Sequence, residues 1–233
     1  MDGLLIIHKP AGMSSFKCLA IVRRKLGLQK VGHLGTLDPL ASGVLVLLVG
    51  RYTKRMNELS GATKVYQSVF TFGIETDTLD AGGRVIASVS EATPPPTREQ
   101  IEAILPSLVG EIEIEVPKFS AVHINGKRAY ALARQGVDFI PPKKVVSIKR
   151  FELTTPPRCA RHPSIQEGNF SSEYFFEIEC QTGTYIRSLA KLLAQKLGTV
   201  AIASTIIRTK VGEFAIEDAK SLEDVTVGDI MTI

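Results

Sequence analysis

Two hydrophobic periods alternate along this chain, and each turn or break between them marks an element. The run GLLIIHK, residues 3–9, predicts a buried strand, and PAGMSS predicts a turn leading to a helix N-cap at Ser14 or Ser15. The helix FKCLAIVRRKLG places Phe16, Leu19, Ala20 and Arg23 on one face and stops at Gly27. After a glycine-rich loop, VLVLLVG is a continuous apolar run, the mark of a strand buried on both faces. TKRMNELS predicts a short helix. VYQSVFTFG, rich in aromatic and β-branched residues, predicts a strand, with RVIASVS as its antiparallel partner across the turn-rich ETDTLDAGG.

Further along, Thr97 and Gln100 form a capping-box pattern for the helix REQIEAILPSL, which Pro106 should end or kink. EIEIEV alternates strictly and predicts a strand. KFSAVHINGKRAYALARQG starts extended, turns at Asn125-Gly126 and passes into a small helix ending at Gly136. VVSIKRFEL and EYFFEIEC predict strands on either side of a polar, proline-containing loop. TGTYIRSLAKLLAQKLG predicts a helix closed by Gly198, and IASTIIRTKVGEF a last strand. Strands outnumber helices and mostly follow one another through turns. The expectation is an α+β fold, a mixed and largely antiparallel sheet with flanking helices, in one domain over residues 1–233.

Charge adds a second layer. The net charge is only +4, but residues 1–64 carry +7, 65–117 carry −7, 118–161 carry +8 and 162–233 carry −4. Two separated basic blocks suit a polyanion, since Lys and Arg contacts to phosphate supply most non-specific nucleic-acid affinity. No apolar run reaches the length of a membrane span, and the N-terminus does not resemble a signal peptide. Cys18, Cys159 and Cys180 make no disulfide framework, which fits a reducing cytoplasm. Cys159 and His162 with Cys180 lack the second tight ligand pair of a structural zinc site, so no metal is expected. No nucleotide- or cofactor-binding fingerprint is present, and no cofactor is expected.

The candidate chemistry centres on GHLGTLDPLASGVL, residues 32–45. It holds one carboxylate, Asp38, before a proline, with Gly32, Gly35 and Gly43 permitting close approach of backbone or ligand. A carboxylate so constrained at the mouth of a core strand suits a nucleophile or general base. Arg187 opens a helix, where a cation opposes the dipole and calls for an anionic partner. His33 alone reads as a hydrogen-bonded surface histidine and Tyr66 as a half-buried strand tyrosine. A glycoside hydrolase is disfavoured, because no second carboxylate recommends itself.

Taken together, HKPAGMSS, GHLGTLDPLASGVL, KVYQSVFTFGIETDTLDAGG, PKFSAVHINGKRAYALARQG and GTYIRSLA resemble, in order and spacing, the B-type tRNA pseudouridine synthase family (TruB). The resemblance runs from Gly3 to Phe214. It implies a pseudouridine synthase fold and isomerisation of a uridine in the tRNA T-arm loop, position 55, after base flipping, without a cofactor. It implies Asp38 as the catalytic aspartate, Tyr66 as the stacking tyrosine and Arg187 as the arginine paired with the aspartate. It also implies that His33 takes part in extruding the uridine, and Ile206 stands where the family usually has a leucine. Gly35, Thr36, Leu37 and Lys64 fall in the substrate-binding motifs. Residues 118–145 resemble a thumb-like insertion, with Lys127, Arg128 and Arg134 as its RNA contacts.

Two departures accompany the likeness. Fewer than twenty residues follow Phe214, so the small C-terminal RNA-binding PUA module is expected to be absent or vestigial. Where many relatives read Leu-Arg-Arg, this chain reads Ile206-Ile207-Arg208. The expected molecule is a cytoplasmic monomer acting on the T-arm stem-loop of tRNA, with no membrane association. The basic blocks leave a second reading, an RNA-binding or tRNA-folding factor acting independently of catalysis.

Overall fold

The computed structural model describes residues 1–90, 93–155 and 173–232. The elements in chain order begin with β1 (Gly3–Lys9), α1 (Ser15–Lys25), β2 (Val31–Leu34) and β3 (Ser42–Val49). A 3-10 turn and the short α2 (Met56–Leu59) lead to β4 (Lys64–Phe72), β5 (Ile74–Thr76) and β6 (Val85–Ser88). Then come α3 (Arg98–Ile104), β7 (Gly110–Glu115), β8 (His123–Ile124), β9 (Lys127–Arg128), α4 (Ala129–Arg134) and β10 (Lys143–Thr154). The chain closes with β11 (Glu173–Cys180), α5 (Ile186–Lys196), β12 (Ala201–Val211) and β13 (Phe214–Ala215). Among the described residues the main sheet runs β1-β3-β12-β4-β11-β10-β7, with β2 added to β3 and β13 to β12. The α+β expectation holds. The chain divides into two compact units, the first comprising Met1–Gln67, Glu179–Thr182 and Ile206–Ile233, and the second Ser68–Ile178 and Gly183–Thr205.

In the first unit β1 and β3 form an antiparallel ladder from Gly3↔Val49 to Lys9↔Gly43. Its two faces make separate cores, because side chains alternate across a strand. Leu4, Ile6, Val44, Val46 and Leu48 pack with Tyr52 and Val211. Leu5, Ile7, Leu45 and Leu47 pack with Cys18, Leu19 and Val22 of α1. The double-sided burial expected of VLVLLVG is therefore present. The Ser14 hydroxyl caps α1 by accepting from the Lys17 N–H at 3.1 Å. The helix turns Ser15, Cys18, Leu19 and Val22 inward, whereas Phe16 is 75% exposed. The expected face is thus rotated, because Ser15 is drawn inward by its bonds to Leu37.

Two further expectations are corrected. The segment around His33, taken as loop, forms β2, which pairs antiparallel to β3 from Val31↔Val49 to Leu34↔Val46. Its glycine hides the strand signal, but β3 leaves that stretch of its edge for β2 to fill. β6 pairs with the short β5, not with β4, and its residues are all exposed. β4 instead lies between β12 and β11 in the main sheet. The competing partner won because β4 is buried along most of its length, and β6 has no buried face to offer it.

In the second unit Phe70, Phe151 and Phe176 form an aromatic core, with ring centroids 4.6 to 6.1 Å apart. Thr97 and Gln100 complete the capping box of α3, and Pro106 falls in the 3-10 turn that ends it. Asn125 and Gly126 both have positive φ, as a tight two-residue hairpin turn between β8 and β9 requires. The polar loop between β10 and β11, with Cys159 and His162, falls largely outside the described residues.

One close contact in the first unit sets the register of the rest. β12 runs parallel to β3 at Ile207↔Ser42 and Arg208↔Gly43. Gly43 has φ of 104°, and a Cβ there would overlap the backbone of Arg208. We predict that Gly43→Ala costs at least about 2 kcal/mol in urea denaturation, through strain and strand displacement together. Gly27, at φ 64° but with open space around it, should lose only about 1 kcal/mol as Gly27→Ala.

Candidate active site

The turn carrying Asp38 is held from three directions within the first unit. The Ser15 hydroxyl donates to the Leu37 carbonyl at 2.9 Å and accepts from the Leu37 N–H at 2.8 Å. Lys9, fully buried, donates through Nζ to the carbonyls of Pro10 at 2.9 Å, Met13 at 2.5 Å and Pro39 at 3.3 Å. The Ala41 N–H donates to the Asp38 carbonyl at 3.1 Å, closing a turn with Pro39 at its first central position. Leu37 is buried and acts as the anchor of this turn, leaving Gly35 and Thr36 exposed and Asp38 half-buried. HKPAGMSS and GTLDP are thus one structure: the first motif's lysine and serine hold the second motif's backbone.

Beside that turn lies a group of buried polar side chains. Tyr66 is 7% exposed and Lys64 5%, and Ile206 supplies an apolar wall at 8%. Asp38 is near enough to Tyr66 and Lys9 for its charge to raise the pKa of both. Burial is the main influence on the Tyr66 phenol and pushes it up, and the charge of the neighbouring Arg208 guanidinium pulls it back. Burial brings the Lys64 ammonium down to about 8, with Arg208 adding like-charge repulsion. Lys9 falls to about 8 for the same leading reason. His33 sits half-buried on β2 rather than on the surface, and burial followed by Arg208 lowers its pKa. Its ring is therefore neutral at pH 7, which suits stacking and hydrogen bonding more than phosphate pairing.

Gly35, at φ 73°, explains its own identity. A Cβ there would stand 3.2 Å from Lys64 Cε and 3.5 Å from Arg208 Nη1. The glycine allows the chain to pass over two cations without a side chain in the way.

The second unit holds Arg187, 2% exposed on the first turn of α5. Its Nη1 donates to the Thr78 carbonyl at 2.6 Å, and its Nη2 to the Phe119 carbonyl at 3.1 Å. Asp80 Oδ2 lies 3.8 Å from Nη1, an anion of the kind that a cation opening a helix calls for. The TDTLD turn is shaped for this. The Thr76 hydroxyl donates to the Asp80 carbonyl at 2.7 Å, and the Thr78 hydroxyl to Asp80 Oδ1 at 2.6 Å. Leu79 takes a left-handed φ of 61° between them. Lys127 and Arg128 are exposed on β9, where Arg128 Nη1 donates to the Ala121 carbonyl at 2.8 Å. Arg134 is exposed and lies over the Tyr130 ring at 5.7 Å.

The structure thus gathers Asp38, Tyr66, Lys64, Gly35, Ile206 and His33 in the first unit, and Arg187, Lys127, Arg128 and Arg134 belong to the second. Sequence reasoning missed Lys9, Ser15, Asp80 and Arg208. Of these only Arg208 left a trace: a lone cation on a strand otherwise apolar or hydroxylic from Ala201 to Thr209. Among the described residues no cluster of acidic, His and Cys side chains is arranged to hold a metal ion, and no helix is long and apolar enough to cross a membrane.

The mixed sheet with its few flanking helices is the pseudouridine synthase fold. It matches a chain in the structure of an H/ACA RNP bound to a substrate RNA containing 2′-deoxyuridine, with a TM-score of 0.65 and 23% identity. That match covers 95% of this chain and 51% of the other, so the likeness spans about half of the solved chain. A chain of an archaeal box H/ACA sRNP complex matches with a TM-score of 0.64 and 23% identity, over 95% of this chain and 52% of that one. Residues 23–186 match the TruB family pseudouridylate synthase (N terminal domain), and the chain belongs to that family, a family of isomerases. The tRNA pseudouridine synthase B of Geobacillus kaustophilus (strain HTA426) is 41% identical over 228 residues, 97% of this chain and 76% of that protein. The tRNA pseudouridine synthase B of Syntrophobacter fumaroxidans (strain DSM 10017 / MPOB) is 41% identical over 227 residues, 97% of this chain and 69% of that protein.

The buried lysines make stability depend on pH with a definite sign. A lysine whose pKa falls from 10.5 unfolded to about 8 folded leaves the unfolded chain binding more protons between those values. Stability from Lys64 and Lys9 therefore rises as pH climbs through 8. Cys18, raised by burial to about 11, opposes this above its ordinary 9. The urea midpoint should rise from pH 7.5 to 9, and Lys64→Met should flatten that rise while leaving a smaller one from Lys9.

Proposed function

We propose that this chain converts the uridine at position 55 in the T-arm loop of tRNA to pseudouridine, with Asp38 as its catalytic carboxylate. The observation that carries the reading is the Asp38 turn itself. It is pinned by Ser15 and Lys9 so that a half-buried carboxylate sits beside the buried phenol of Tyr66. The relatives named tRNA pseudouridine synthase B support tRNA as the substrate.

The chemistry balances within the substrate. The N1–C1′ bond breaks, the freed uracil turns, and a new bond forms between C5 and C1′. The proton on C5 leaves and N1 gains one, so substrate and product have the same formula. Asp38 acts on the ribose or base at the bond-breaking stage. Tyr66 stacks on the extruded uracil and assists loss of the C5 proton. Extrusion from the loop costs a few kcal/mol, about 1–3 kcal/mol of which stacking on an aromatic ring offsets. His33, neutral and half-buried, takes part in extruding the uridine. Ile206 and the Gly35–Leu37 backbone frame the base, and Lys64 stands beside them. Arg187 takes the part of the catalytic arginine that the family resemblance gives it. Residues 118–145 act as the thumb, with Lys127, Arg128 and Arg134 on tRNA phosphates.

Purified protein incubated with an unmodified tRNA transcript should create a carbodiimide-dependent primer stop in the T-loop. Absence of that stop would sink the reading. Asp38→Asn should abolish the stop and leave RNA binding within about threefold of the original, since it removes a group acting in the transition state. Tyr66→Phe should retain binding and lose about 10²-fold or more in rate. A Lys127→Ala, Arg128→Ala double variant should instead weaken binding and reduce its salt dependence, because exposed cations act on phosphate. Retention of RNA folding assistance by Asp38→Asn, with modification lost, identifies a second role independent of catalysis.

A further inference from the structure

Arg208 has no role in the chemistry just described, yet its charge is felt by four titrating groups around Asp38's turn. Its influence reaches Lys9, His33, Lys64 and Tyr66. The side chain is 0% exposed, so it presents no face to an RNA phosphate. Its donors point instead at protein. Nε donates to the Val44 carbonyl at 2.8 Å and Nη2 to the Gly35 carbonyl at 3.1 Å, and the guanidinium lies beside the Tyr66 phenol, whose pKa its charge lowers. Among the described residues no carboxylate lies within ion-pair distance of it.

A buried cation held by carbonyls is costly for a fold, and an apolar residue of similar size often serves stability better. The position therefore favours Arg for a reason other than packing. It bonds the beginning of β3 and the glycine that precedes Thr36-Leu37-Asp38, and it adjoins the phenol beside Asp38. Each is a separate piece of chain, and one planar fork spans all of them.

We infer that Arg208 is a positioning residue for uridine isomerisation, locking the phenol of Tyr66 and the backbone of Gly35 in fixed relation to the Asp38 turn. This rests on the assignment of Asp38 and Tyr66 as the reacting pair. A lysine at this position keeps the charge but offers a single point of attachment, and a methionine keeps the bulk alone.

The test compares wild type with Arg208→Met and Arg208→Lys on a T-arm stem-loop RNA, measuring single-turnover rate, RNA dissociation constant and thermal midpoint. In parallel, the Cζ NMR resonance of Tyr66, assigned with Tyr66→Phe, is titrated without RNA. The groups facing this phenol are Arg208, Cys180 and Asp38, and only the first is changed. Arg208→Met should keep a cooperative thermal transition, bind RNA within about threefold, and lose about 10²-fold in rate, the scale of a misplaced reacting group. Its Tyr66 should titrate at higher pH than in wild type, because the cation that lowers it is gone. Arg208→Lys should restore much of that titration but little of the rate, and it serves alone should the methionine variant not fold. Wild-type rate in a folded Arg208→Met, or full rate in Arg208→Lys, overturns the inference and leaves the assigned function standing. If wild type itself makes no pseudouridine, the function fails. The Tyr66 titration then decides alone: a shift on replacing Arg208 upholds its grip on the phenol, and no shift overturns it.

Discussion

Two strands meet at Gly43 and Arg208 more closely than any side chain would permit. Everything near Asp38 in the first unit follows from that approach. Because β3 starts flush against β12, the turn before it must arrive at a fixed height. The Arg208 side chain then lies under Gly35 and Val44 rather than in solvent. The 104° φ of Gly43 is the backbone's response to the same crowding. The glycines of this motif therefore differ in purpose: Gly43 lets one backbone meet another, and Gly35 lets backbone pass over the side chains of Lys64 and Arg208.

The interior of this unit is unusual in spending cations as fasteners. Lys9 and Arg208 are wholly buried, and both donate to backbone carbonyls. Carbonyl dipoles satisfy donors without neutralising charge, so the positive potential remains available nearby. Next to burial, the Arg208 charge is what lowers the pKa of Lys64 and His33 beside the turn. In this arrangement the devices that hold the turn also condition it electrically.

Much of the framework was legible from pattern alone. The run VLVLLVG announced burial on both faces, Thr97 and Gln100 announced a capped helix, and Asn125-Gly126 announced a hairpin turn. Each of these signals is local: a few neighbouring residues decide the outcome. β2 was hidden because its glycine and histidine carry no strand propensity, and only the free edge of β3 makes it a strand. The partner of β6 was misjudged for a related reason, since pairing depends on what else competes for an edge. At the site, Asp38 stood out by its proline and glycines, and family likeness drew Tyr66 and Arg187 to it. The fasteners Lys9, Ser15 and Arg208 were not legible, because a buried lysine or arginine looks like a surface one until its carbonyl partners are in place.

The bond from Arg187 to the Phe119 carbonyl joins an interior guanidinium to the start of segment 118–145. Thr78, from a different segment, takes the other half of the same fork. A segment anchored this way is not a detachable accessory. A graft that exchanges residues 118–145 for another sequence also rewrites one of the arginine's tethers, because the tether is main chain and depends on where the loop leaves the sheet. Swaps made beyond Ser120 preserve that tether, and swaps that shift Phe119 disturb the interior arginine before any RNA is met.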